Sequence, residues 1–231
     1  MNGRLKVLGV ALAVFGLAFI AGGGYAYYKT SQGANALQAF SAAQNVTLTY
    51  NEAGELTDRG TTEGAEKIMS LLVNDWGFTV DQSELNPNDP LVNTSSEYMY
   101  QMATVSYHTL NATTTVVIPE DVIGDDGAVV TKAGEYEFVN DGRYWTGFDR
   151  TDPIEGADRA QIWTGPALAL IGQLGVGSVT ASALQIGFGV AAVVAGLGAM
   201  FLLTGLGLVW ATRAAPETVK APALRPATTT A

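Results

Sequence analysis

The sequence predicts an α+β fold: a small extracytoplasmic domain of helices and an antiparallel β-meander, set between two transmembrane helices. Three observations predict it. Two long apolar runs lie near the ends of the 231-residue chain, the charge between them is strongly acidic, and within that acidic middle the apolar period changes from helical to strand-like.

The first run, residues 5–28, carries no charge beyond Lys6. At 1.5 Å rise per residue it reaches across a hydrocarbon core of roughly 30 Å. Arg4 and Lys6 stand at its start, and Tyr25, Tyr27 and Tyr28 close it as an interfacial aromatic belt does. A cleaved signal peptide is the competing reading, since Gly24-Tyr25-Ala26 offers small residues to a peptidase. The run exceeds the usual signal core of about 7–15 residues, which favours a retained helix.

The second run, residues 183–210, has no charged residue, ends on Trp210 and is followed by Arg213, Lys220 and Arg225. Basic residues therefore flank the first run on its N-terminal side and the second on its C-terminal side. By the positive-inside rule, residues 1–4 and 211–231 are cytoplasmic and residues 29–165 lie outside the cell membrane. The lipid bilayer is the first partner this implies. The Pro-, Ala- and Thr-rich tail within 211–231 has a disordered composition. Both runs carry small residues four apart: Ala18, Gly22 and Ala26 in one, and Gly187, Ala191, Ala195 and Ala199 in the other. Such ridges let helix backbones approach, within the chain or against another membrane protein.

Residues 29–165 hold 21 acids against 7 bases, and the remainder holds five bases and one acid. Nucleic acid is excluded as a partner, because phosphate binding needs clustered Lys and Arg. The absence of cysteine excludes disulfides, thiolate metal sites and cysteine nucleophiles.

Within the acidic middle, residues 34–45 read as a short helix and 46–50 as a strand. Residues 61–76 read as an amphipathic helix, with Ala65, Ile68, Met69, Leu72 and Trp76 on one face and Glu63 and Glu66 in its first turn. A third helix starts at a capping box formed by Thr94 and Glu97 and runs to residue 110. Strands follow at 113–118, 128–131, 135–139 and 143–148, separated by the Gly124–Gly127 and Asn140-Asp141-Gly142 turns; together they make the meander. Asp152 caps a further helix with Pro153 in its first turn. Thr164-Gly165-Pro166 interrupts that helix, and 166–180 reads as a separate interfacial or buried helix, too short to span.

Catalytic and cofactor chemistry finds little support. His108 is the single histidine, so no two-histidine metal site exists, and no serine lies in a nucleophile elbow. Glu120, Asp121, Asp125 and Asp126 form one acid-rich stretch, and Asp149, Asp152, Glu155 and Asp158 another. Neither has the spacing of an EF-hand, and both read as solvated turn acids. No cofactor is expected. The aromatic residues Tyr98, Tyr100, Tyr107, Tyr136, Phe138, Tyr144, Trp145 and Phe148 are the remaining candidates for core or contact surface.

The basic N-terminus, the first run ending in small residues, the acidic middle and the 187–198 segment resemble a group of uncharacterised actinobacterial two-pass membrane proteins. The segments at 88–93, 96–102 and 141–145 share the likeness. Many of that group carry the label "aromatic ring-opening dioxygenase". A non-haem iron dioxygenase needs two histidines and a carboxylate, and one histidine cannot supply them within this chain. The sequence therefore leads to a non-enzymatic, membrane-anchored envelope protein, an accessory subunit of a larger membrane complex. A ligand-binding or sensor module is the alternative, and a carboxylate-based hydrolase the third reading.

Overall fold

The computed structural model describes residues 2–214; the expected tail lies, past residue 214, outside the described residues. The fold mixes helix with small antiparallel sheets, and two of its helices are long and apolar enough to cross a membrane. The chain divides into two compact units. One takes the residues up to Thr30 with those from Gly187 onward, and the other is Ser31–Ile186.

Both long helices are continuous where separate pieces were expected. Helix α1 is Asn2–Gln44, so residues 34–45 are its last turns rather than a helix of their own. Helix α5 is Gly165–Ala214 and absorbs the short helix expected at 166–180. The interruption expected at Thr164-Gly165-Pro166 falls at its start, and Pro166 is accommodated in its first turn, because proline there removes only an N–H that has no intrahelical acceptor. Thr164 accepts from Ala167 N at 3.2 Å and caps the start. At 1.5 Å per residue α1 is about 64 Å long and α5 about 75 Å, each over twice a hydrocarbon core.

In the first unit the two helices run antiparallel along a seam of small residues. Gly9, Gly16 and Gly23 of α1 and Ala191, Gly198 and Gly205 of α5 are buried. A β-carbon built at Gly9 would lie 2.7 Å from Gly205 O, one at Gly16 2.7 Å from Gly198 O, and one at Gly23 2.9 Å from Ala191 O. The spacing on both helices is seven, the repeat of left-handed supercoiled pairs. Hydrogen in place of the β-carbon lets backbone meet backbone, with Cα–H groups aimed at carbonyl oxygens. Edge-to-face pairs of Phe19 with Phe201 and Tyr27 with Phe188 flank the seam, ring centres 5.8 and 5.4 Å apart.

In the second unit, β1 (Thr49–Tyr50) and β2 (Leu56–Thr57) form a short hairpin, so the strand expected at 46–50 shrinks to its last two residues. Helix α2 is Thr62–Ser70, and the chain continues as a π-helical turn, Leu71–Asp75, where an unbroken α-helix to 76 was expected. Helix α3 is Ser95–Leu110 and begins at the capping box of Thr94 and Glu97. Strands β3 (Thr113–Ile118) and β6 (Gly134–Val139) pair in full register, and β4 (Val122–Ile123) pairs with β5 (Val129–Thr131) inside that loop. The arrangement is thus a nested two-stranded ribbon, not a meander. Residues 143–148 form no strand. Their aromatic side chains leave the sheet instead: Tyr144 stacks on Trp163, Trp145 lies under the Arg159 guanidinium, and Phe148 enters the core. Helix α4, Pro153–Ile162, starts at Asp152, which accepts from Ile154 N and Glu155 N.

Two apolar clusters hold this unit. One gathers Leu48, Ala65, Ile68, Leu72, Val92, Tyr98, Tyr100, Ala103 and Leu174. The other gathers Leu71, Leu110, Phe148, Ile162 and Trp163. Neighbouring Leu71 and Leu72 serve different clusters. The π turn makes this possible: Trp76 N reaches back five residues to Leu71 O at 3.0 Å, widening the helix where it faces both.

Candidate functional site

A groove of about 670 Å³ opens beside the π turn. Leu71 and Leu110 form its apolar floor, Tyr107 and Tyr144 its walls, and Lys67, Ser70, Asp75 and Asn111 its polar rim. Its volume lies in the range of small-molecule sites, and π turns recur at functional positions. Tyr144 is fixed from two directions. Trp76 Nε1 donates to its hydroxyl at 2.8 Å, and its ring stacks on Trp163 with centres 6.1 Å apart. Gly142, at φ 77° in the Asn140–Arg143 turn, closes the end by donating to Leu110 O at 2.9 Å.

A second concavity shares Lys67, Tyr107 and Asn111 with the groove and leads to His108. His108 Nε2 lies 3.0 Å from Asp58 Oδ1. Asp58 is held by a tight turn in which Arg59 and Gly60 both have positive φ, with Asp58 and Thr61 exchanging backbone hydrogen bonds of 2.9 and 3.0 Å. The histidine thus has a carboxylate partner, and no serine or threonine hydroxyl is among its hydrogen-bond partners. Lys67 pairs with Glu63 at 2.8 Å on the exposed face of α2.

Among the described residues two carboxylates are buried. Glu97 Oε2 accepts from Asn93 N, Thr94 N and Thr94 Oγ1 at 3.0, 2.9 and 2.8 Å, yet burial dominates and holds its carboxyl above the ordinary range. Asp158 is also pushed up by burial, against the pull of the Thr114 hydroxyl that donates to it and of Arg143. Its Oδ2 has no partner, and neither have Asn140 Oδ1 and the hydroxyls of Tyr50 and Tyr100. Burial likewise raises the Tyr50 and Tyr100 hydroxyls. Glu97 caps α3 and Asp158 fastens α4 to β3; neither lines the groove. The two raised acids are not brought into one cleft, as a carboxylate hydrolase requires.

Neither the protein-family models, nor the curated proteins, nor the solved structures contain a match to this chain.

Several other acids of the two sequence stretches accept backbone hydrogen bonds or form an ion pair. Asp121 accepts from Ala133 N, Asp126 from Ala128 N and Asp149 from Thr151, while Glu155 pairs with Arg143 at 2.7 Å. Among the described residues no three His, Asp or Glu side chains are grouped to hold a metal ion.

Of the residues marked for helix packing, Gly187, Ala191 and Ala195 face α1: β-carbons at Gly187 and Gly23 would touch Thr30 and Ala195 respectively. Ala18, Gly22 and Ala199 are exposed on the outer faces, and Ala26 is half-buried. The seam residues Gly9, Gly16, Gly23, Gly198 and Gly205 were missed. Their signal in the sequence is a seven-residue spacing on both helices, hidden among abundant glycine and alanine. The groove carried no sequence signal, because the π turn that shapes it has none.

Proposed function

We propose that the chain is a non-enzymatic two-pass membrane protein of the cell envelope that presents the Ser31–Ile186 unit outside the membrane as an accessory subunit of a larger complex. One observation carries this reading. The paired helices close their small residues inward and turn aliphatic side chains outward, with Val7, Val14, Leu17, Val193, Leu203 and Leu206 all exposed. Leu203 is 70% exposed. A soluble protein buries such surface, and lipid is the solvent in which it is stable. Arg4 and Lys6 in the first turns of α1, and Arg213, Lys220 and Arg225 after the second apolar run, support cytoplasmic ends.

The native chain has no cysteine, so topology is testable with single thiols. Asp125→Cys is expected to react with a membrane-impermeant maleimide on intact cells. Asn2→Cys and Thr228→Cys are expected to react only after lysis. Labelling of the two ends before lysis would overturn the orientation, and loss of an N-terminal tag from the mature protein would overturn the retained first helix.

A second reading, a ligand-binding module, is favoured by the groove between Tyr107 and Tyr144. Saturable quenching of tryptophan emission by a small molecule, abolished by Tyr144→Ala, would support it. A library of envelope-derived small molecules giving no such response would count against it.

A further inference from the structure

The β3–β6 ribbon is covered on one face only. Register places Thr114, Val116 and Ile118 of β3 with Gly134, Tyr136 and Phe138 of β6 on one side. Helix α4 packs there, through the Asp158–Thr114 bond among others. The other side carries Thr113, Thr115 and Val117 opposite Val139, Glu137 and Glu135, all six exposed. Towards the tip, Ile123, Val129 and Val130 are exposed as well. Val117 is 58% and Val130 62% exposed, in a segment with β-branched side chains and no second layer.

The ribbon also has free edges. β3 pairs with β6 alone and β4 with β5 alone, so among the described residues the outer edge of each strand has no strand partner. Proteins commonly blunt such edges with lysine, proline or a covering element. This ribbon has neither proline nor covering strand between residues 120 and 139, and Lys132 is its only base. A two-stranded ribbon of this kind is marginally stable by itself.

Charge selects the occupant. Glu120, Asp121, Asp125, Asp126, Glu135 and Glu137 stand against Lys132 alone. A second copy docking the same face would set these acids against themselves, and an anionic lipid surface would be repelled for the same reason. We propose that the ribbon of β3, β6, β4 and β5 is a docking arm for an extended segment of a partner protein in which basic and β-branched apolar residues alternate. The segment adds to the free edge of β6 through backbone hydrogen bonds; the two-residue period sets its lysines or arginines on the exposed face against Glu135 and Glu137, and its apolar residues on the opposite face beside Tyr136 and Phe138. This rests on the accessory-subunit reading only in supposing that a partner exists.

The test uses the full-length protein in mild detergent with a fluorescently labelled synthetic peptide of alternating lysine and valine, read by anisotropy. Saturable binding that weakens with salt is expected, and a peptide of alternating glutamate and valine should not bind. Val117→Lys with Glu135→Lys changes only exposed positions and should weaken binding by about tenfold or more, by placing like charges across the contact. Amide exchange of the unaltered protein should slow within residues 113–139 when the peptide is present. Equal binding of the two peptides, equal binding by the variant, or protection elsewhere would overturn the proposal. So would self-association, or attachment to anionic vesicles, that the double substitution abolishes. The peptide assay is independent of which side of a membrane the domain occupies, so its failure and a failed topology test are separately legible.

Discussion

Adding one methyl group at Gly16 and at Gly22 should have opposite effects, although the two glycines lie within two turns of the same helix. At Gly16 the new carbon would sit 2.5 Å from Leu202 N, 2.7 Å from Gly198 O and 2.8 Å from Leu202 Cα. All three are backbone atoms, so no side chain can swing away and the helices must separate. Overpacking of this kind costs about 1–3 kcal/mol. Alanine returns only about 0.5–1 kcal/mol through its better helix propensity. The net expectation for Gly16→Ala is a loss of about 1–2 kcal/mol. At Gly22 nothing lies within 4 Å of the built carbon, so Gly22→Ala keeps the propensity gain without a clash. The assay follows energy transfer between dyes on Gly3→Cys and Thr212→Cys, one on each helix, as a denaturing detergent is titrated into a mild one. The Gly16→Ala midpoint should fall below that of the parent and the Gly22→Ala midpoint should not. Equal midpoints for the two would refute the seven-residue seam.

Three further outcomes follow from the second unit. Thr94→Ala removes both the cap on α3 and a donor to buried Glu97, and should lower the stability of the unit by about 1 kcal/mol or more in chemical unfolding. Asp158 keeps its proton in the folded state more tightly than in the unfolded chain, whose carboxyl titrates near pH ~3.9, so its contribution is full below that pH and is lost as pH rises through the raised folded value. Unfolding midpoints across that window should fall more steeply for the parent than for Asp158→Asn, and parallel profiles would exclude this assignment. Deleting exposed Val73 removes one residue from the π turn and re-aims Trp76, which packs against both clusters and donates to Tyr144; a loss of about 1–3 kcal/mol is expected, and an unchanged melting curve would refute the account of the turn.

What the sequence made legible were the features fixed by chemistry within a few residues. The Thr94–Glu97 box, the Asp152 cap before Pro153 and the Asn140–Gly142 turn all appear where local rules put them. Features that depend on a distant partner were read less well. Ala18, Gly22 and Ala26 make as good a four-residue ridge as Gly9, Gly16 and Gly23 make a seven-residue one, and only the matching spacing of Ala191, Gly198 and Gly205 decides between them. Residues 143–148 alternate like a strand, but Tyr144, Trp145 and Phe148 find Trp163, Arg159 and the second cluster, and this packing overrides the alternation. The breaks expected near 29–33 and 181–182 assumed that a membrane helix ends where its apolar run ends, whereas the interruption expected at Thr164-Gly165-Pro166 is present between α4 and α5. The last turns of α1 stay helical because Leu37 packs on the first cluster and Ser41 Oγ meets the Tyr98 hydroxyl at 2.7 Å.

The glue along α5 changes with position, and the change supports the membrane reading independently of hydropathy. At Gly187 the neighbour is the Thr30 side chain, whereas at Ala191, Ala195, Gly198, Leu202 and Gly205 its backbone atoms lie within 2.5–2.9 Å of a carbon built on a facing glycine of α1. Such contacts need no polar group and suit an apolar solvent that supplies no hydrophobic drive. Before Gly187 the same helix is fastened by hydroxyls and amides. Ser178 and Ser182 both meet Ser95 Oγ, at 2.9 and 2.8 Å, and Gln185 Nε2 donates to Glu84 Oε1 at 2.6 Å. Glu84 in turn accepts from Ser96 N at 2.7 Å, at the N-terminus of α3 where the helix dipole favours a carboxylate. Two properties therefore change along these helices: the contact chemistry of α5 between Gln185 and Ala191, and on α1 the charge, which resumes at Lys29 after 22 uncharged residues. Both changes are compatible with two helices long and apolar enough to cross a membrane.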